Sequence, residues 1–118
     1  MPRRTDKAEL LQGTLDMLIL QSLVRGPQHG YSVARWIHAA SHESLRIEEG
    51  SLYPALHRME RRGWIAAEWG QSEANRRAKF YRLTRTGRSQ LGSEVHAWEQ
   101  LVAAITRVLQ ATASEALP

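Results

Sequence analysis

The sequence predicts a mainly α-helical protein with one small β-hairpin, and three observations carry the prediction. Apolar residues recur at helical spacing in separate segments, from Leu15, Ile19 and Leu23 early in the chain to Leu91, Val95, Trp98 and Val102 late in it. Between them, 64–69 and 79–83 show strand patterning instead. Gly26-Pro27 and Gly63 punctuate the chain where helices must stop. With 118 residues, 42% hydrophobic and 24% charged, the chain can build one modest core and is not broadly disordered.

Asp6 followed by Glu9 fits a capping box, and Leu11, Leu15, Leu18, Ile19 and Leu23 share a helical face behind it. Gly13 weakens this start, so the first helix is expected to begin between Ala8 and Thr14 and to end at Gly26-Pro27. Gly30 opens a second, short helix with Tyr31, Ala34 and Ile37 on one face and Arg35 and His38 away from it. Ser41 to Glu48 reads as a polar connection in which Leu45 and Ile47 suggest a short strand. In the third helix Pro54 lacks an N–H and belongs in the first turn, which places the start between Glu49 and Ser51. Leu52, Leu56 and Met59 share its inner face, and Gly63 is the expected stop. Ile65, Ala67 and Trp69 then alternate as a strand, Gly70 to Ala78 reads as a long polar loop, and Lys79 to Leu83 is the returning strand.

Thr84 is a good N-cap for the last helix. Its apolar seam of Leu91, Val95, Trp98, Val102, Ile105 and Leu109 follows a 3.5-residue heptad repeat. A helix from Thr84 to about Gln110 is ~40 Å long at ~1.5 Å per residue, more than so small a domain can cover. The seam therefore predicts a homodimer. Helix, helix, helix, hairpin, long helix is the plan of a winged helix-turn-helix plus a long C-terminal dimerisation helix, divided as 8–84 and 85–112.

Charge placement points to a polyanion. From Arg58 to Arg88 nine basic residues face three acids, a balance of +6, while the remainder of the chain carries seven basic and nine acidic residues. Of 16 basic residues 14 are arginine, the side chain best shaped for bidentate contacts to phosphate and guanine. The third helix offers Ser51, Tyr53, His57 and Arg58 away from its apolar face, with Glu60 on a different side, and the hairpin offers Asn75, Arg76, Arg77 and Lys79. Double-stranded DNA is the expected partner.

The segments Gly13-Thr14-Leu15-Asp16-Met17-Leu18-Ile19-Leu20, Gly26-Pro27-Gln28-His29-Gly30-Tyr31, Glu49 to Ile65 and Asn75 to Thr84 closely resemble the PadR family of transcriptional regulators, over about residues 11–92. The C-terminal helix resembles the small-chain branch of that family. The resemblance implies a winged-helix dimer that binds a pseudo-palindromic operator, usually to repress a nearby gene. It also implies major-groove reading by the helix holding Ser51, Tyr53, Pro54, His57 and Arg58, with Tyr31 at the phosphate backbone and Asn75 to Lys79 in the wing.

Trp98 sits mid-seam, where it either fills a dimer core or flanks a gap that admits a small planar aromatic effector. The other expectations are negative or alternative. Cysteine is absent, so there is no thiolate metal site or cysteine nucleophile. His38 and His42 lack a third ligand, and no metal or cofactor is expected. No nucleophile elbow or phosphate-binding glycine loop is present, which argues against an enzyme. No apolar run approaches a membrane span and the basic N-terminus lacks a signal peptide's apolar stretch, so the chain is expected to be soluble and cytoplasmic. The alternative to a repressor is a dimeric architectural DNA-binding protein or adaptor without an effector.

Overall fold

The structure, a computed structural model, describes residues 4–112, with side chains described from Gly13 onward. The elements are α1 (Arg4–Ser22), β1 (Gln28–His29), α2 (Gly30–Ala40), α3 (Glu49–Arg61), β2 (Ile65–Gln71), β3 (Arg77–Leu83) and α4 (Arg85–Gln110). Four helices surround a three-stranded antiparallel sheet of order β1-β3-β2. The expected winged-helix order is present, with β1 as an addition.

α1 is already helical at Arg4, so Asp6 lies inside it and not at the expected non-helical cap; Leu11 falls outside the described side chains. The helix also ends earlier than Gly26-Pro27. Beyond Ser22 the chain tightens into turns closed by Leu23 N–H to Leu20 O (3.1 Å) and Gly26 N–H to Leu23 O (3.2 Å). Pro27 then extends the backbone, which pairs Gln28 with Tyr81 and His29 with Phe80. Two residues are too few for a periodicity, which is why sequence patterning leaves this strand invisible.

His29 caps α2, accepting from Ser32 N–H at 3.4 Å. The buried face of α2 is Gly30, Val33 and Ile37, not the expected Tyr31–Ala34–Ile37 set; Tyr31 is 56% exposed. Ser41 to Glu48 forms no strand: Leu45 N–H is held by Ser41 Oγ (2.9 Å) and Leu45 O accepts from His38 Nδ1 (3.2 Å), which folds the segment back on the end of α2. α3 buries Leu52, Ala55, Leu56 and Met59. Its end is a Schellman motif: Trp64 N–H reaches Met59 O (3.0 Å), Gly63 N–H reaches Glu60 O (3.0 Å), and Gly63 supplies the required positive φ of 77°.

β2 and β3 pair from Ile65↔Leu83 to Gln71↔Arg77. The loop between them is much shorter than the expected Gly70–Ala78. Ser72 N–H donates to Arg76 O (2.8 Å), Asn75 N–H to Ser72 O (2.9 Å), and Asn75 takes the left-handed region at φ 58°. This is the three-residue hairpin loop that ends in an αL residue. α4 is seated by Thr84, whose Oγ1 accepts from Gly87 N–H (3.0 Å) and lies 2.6 Å from Gly63 O and 2.9 Å from Trp64 O, donating into that pair. The core gathers Leu15, Ile19, Leu20 and Leu23 with Val33, Ile37, Leu52, Leu56, Met59, Ile65, Leu83 and Leu91. α4 meets this core only through its first two turns and Val95.

Candidate nucleic-acid interface

Helical geometry divides the surface of α3 into an outward stripe and two flanks. The stripe opposite the buried residues is Gly50, Pro54, His57 and Arg61, all exposed and free of acids. Arg61 thus joins the expected set; its signal in the sequence is its four-residue spacing from His57. Ser51 is exposed on one flank. On the other, Tyr53 is 43% exposed and packs its ring against the N-terminus of α2, where a Cβ on Gly30 would stand 2.7 Å from Tyr53 Cε1. Tyr31 follows directly, exposed, with the Arg35 guanidinium 5.7 Å above its ring. The helix-turn-helix pair therefore presents Tyr31, Tyr53, Pro54, His57 and Arg61 as one neighbourhood.

Two of the expected residues are already engaged inside the protein. Arg58 turns toward α1, where its Nη2 donates to Asp16 Oδ1, and only 25% of its side chain is exposed. Lys79 lies in β3, as its strand patterning predicts, with Nζ 3.2 Å from Glu60 Oε1, close enough for an ion pair but not aligned as a hydrogen bond. Both differ from the freely projecting cations that spacing alone suggests, because each finds a carboxylate on a neighbouring helix.

The Lys79–Glu60 contact orients the wing. It places that face of β3 against α3, and Arg77, two residues toward the tip, points to the same side. Arg77 is held there by Trp69, whose ring lies 4.5 Å from the guanidinium carbon and which is itself 59% exposed. Asn75 and Arg76 stand exposed in the loop. α3 and the wing thus show one mainly basic side; Glu73 at the loop and Glu60, which faces Lys79, are the exceptions. Arginine paired with an aromatic ring also recurs at Arg62 over Trp64, 5.1 Å away.

The predicted seam of α4 is bare. Leu91 is buried and Val95 half-buried, but Trp98 is 43% exposed, Val102 40%, Ile105 47% and Leu109 79%. Apart from Ala104, every residue of α4 from His96 onward is exposed in the single chain. No helix among the described residues is long and apolar enough to cross a membrane.

The resemblance read from the sequence holds on comparison with known proteins. Residues 19–93 match the Transcriptional regulator PadR-like family. Among solved structures, a transcriptional regulator from Clostridium thermocellum is similar with a TM-score of 0.77 at 29% identity, covering 84% of this chain and 96% of that one. A PadR family transcriptional regulator from Eggerthella lenta shares 30% identity over 92% of both chains, with a TM-score of 0.74. A PadR-like transcriptional regulator from Bacillus cereus shares 25%, covering 88% of this chain and 99% of its own, at a TM-score of 0.75.

Proposed function

This chain belongs to the PadR-like family of transcriptional regulators, and on that premise we propose that it is a homodimeric, sequence-specific repressor acting on a pseudo-palindromic operator. The observation that carries the proposal is the common side shared by the outward stripe of α3 and Arg77 of the wing. Ser51, Pro54, His57 and Arg61 would meet base edges in the major groove. Tyr31 and Tyr53, exposed where α2 meets α3, would meet phosphates, and Asn75, Arg76 and Arg77 the flanking backbone or minor groove. Arg58 and Lys79 keep their internal partners.

Dimerisation is supported by the uncovered seam from Trp98 to Leu109, which a second copy covers with its own. Mid-seam, two Trp98 rings would face a shared gap, and a planar apolar compound lodged there is the effector this reading favours. The expected location is the cytoplasm, beside the DNA it reads.

Selection of random duplexes on the purified protein tests the function. The reading expects an enriched inverted repeat whose half-sites lie ~34 Å apart or a multiple of it. Retention that falls steeply with salt but enriches no sequence would instead establish an architectural protein.

A further inference from the structure

Asp16 sits on α1 among Leu15, Leu20 and Ile19 of the core, an expensive place for a carboxylate. Its side chain is only 13% exposed. It accepts from Arg58 of α3, and Arg62 at the C-cap of α3 and Glu94 of α4 are close enough to act on its charge. Glu94 is in turn held by Gln90 Nε2 at 2.9 Å. Three helices, one of them the candidate reading helix and one the candidate dimer helix, converge on this group.

The cluster is not explained by stability. Burial raises the Asp16 pKa above its ordinary value of 3.8 in spite of Arg58, so desolvation outweighs the attraction of the pair. Nor is it explained by contact with a polyanion, since the guanidinium is turned away from the outward stripe. An ion pair that adds little stability but joins two elements in one geometry fixes orientation.

We propose that the Asp16–Arg58 pair is a strut that sets the angle of α3 against α1, making both Asp16 and Arg58 positioning residues for DNA recognition and not groups that touch DNA. This rests on the DNA-binding reading above. The inner face of α3 packs through Leu52, Leu56 and Met59, apolar contacts that carry no directional bond of their own. A rotation of a few degrees would move His57 and Arg61 off their base edges while leaving the general basic side intact.

The sign of one substitution separates the two roles. Asp16→Ala removes a negative charge near a polyanion, so electrostatics alone would tighten binding, and an Arg58 released to read DNA would tighten it further. The strut predicts the reverse: affinity for the selected operator falls roughly tenfold, the range of a direct side-chain coupling, while affinity for random duplex does not fall and the salt slope stays unchanged. Asp16→Asn preserves volume, folds where the alanine variant does not, and should shift affinity in the same direction. Arg58→Met should lower operator affinity similarly, and Asp16→Ala with Arg58→Met should be no weaker than either alone. Light scattering and thermal melting establish that the variants remain folded and assembled as in the wild type. Operator binding by Asp16→Ala and Asp16→Asn at or above wild-type strength overturns the strut, as do losses that multiply in the double variant. A wild-type protein that prefers no duplex overturns the DNA reading itself, a result visible before any variant is made.

Discussion

Gly87 fixes where α4 joins the domain, and replacing it should be far more damaging than a helical Gly→Ala change ordinarily is. A Cβ at Gly87 would stand 1.9 Å from Trp64 O, 2.9 Å from the Trp64 carbonyl carbon and 2.9 Å from Leu83 Cδ1. The oxygen is backbone and cannot swing aside, so the first turn of α4 must withdraw by roughly an ångström to reach even a tight contact. Withdrawal breaks the Thr84 cap, which holds Gly87 N–H at 3.0 Å and lies against Gly63 O and Trp64 O. Loss of such a cap costs about 1 kcal/mol, and overpacking about 1–3 kcal/mol, so Gly87→Ala should destabilise by roughly 2–4 kcal/mol. Gly92 is the internal control. It lies one and a half turns on in the same helix, exposed, and nothing stands within 4 Å of its Cβ position. Gly92→Ala should therefore stabilise by about 0.5–1 kcal/mol through helix propensity alone. Urea denaturation at one fixed protein concentration reads both, because assembly couples to apparent stability. A Gly87→Ala variant within about 0.5 kcal/mol of wild type, well below the overpacking range, would refute the reasoning.

Other consequences are equally direct. Val102→Asp or Ile105→Asp places a charge in the seam and should yield monomers or unfolded chains by light scattering; a wild-type protein that is a stable folded monomer contradicts the dimer. Replacing Arg76 and Arg77 together should weaken specific and random duplex alike and shrink the log–log salt slope by up to ~3.6 at ~0.9 per phosphate contact and about four contacts per dimer; an unchanged slope removes the wing from the interface. Trp98→Ala should abolish release of DNA by planar aromatic compounds while operator binding persists, and a variant that merely loses its dimer would make Trp98 a packing residue only. For Asp16 the raised folded pKa means that the native state holds its proton more tightly than the unfolded chain does, so the carboxylate subtracts stability at neutral pH and the deficit fades as pH falls through that raised value. Asp16→Asn should then match or exceed wild-type stability at neutral pH and lose that margin in acid, as read from denaturant midpoints; a clear loss at neutral pH would show that the pair stabilises the fold.

What the sequence revealed depended on how local its cause was. The α4 seam was legible because six apolar positions follow a heptad spacing within one helix, and so was the stop at Gly63, where one residue type satisfies one backbone geometry. The inner face of α2 was misread because Tyr31 and Val33 are both apolar enough for a short helix, and only the tertiary neighbour, Tyr53 against Gly30, decides which turns out. The wing loop was overestimated because polarity alone marked it; Asn75, a residue suited to φ > 0, was the available sign of a tight closure. The pairing of Asp16 with Arg58 spans 42 residues and leaves no periodicity. Its one local trace is an acid set in an otherwise apolar helical face.

The joint between α4 and the winged domain governs more than stability. In the proposed dimer, the distance between the two reading helices depends on the angle at which each α4 leaves its domain, because beyond Val95 the helix is exposed at every position but Ala104 up to Gln110. Three features of different kinds bear on that angle: Gly87 against the Trp64 carbonyl, Leu91 in the core, and the like charge of Glu94 acting on Asp16. The first two are rigid, one being backbone on backbone and the other close-packed. The third is polar and half-solvated, and it is the one that also reaches α3. A ligand that pried the seam apart at Trp98 would therefore act through a lever whose fulcrum is stiff and whose polar link runs to the reading helix. Such a ligand shifts DNA affinity in proportion to its preference for one seam spacing over another, and the Asp16–Arg58 contact is where that preference would be converted into a rotation of α3.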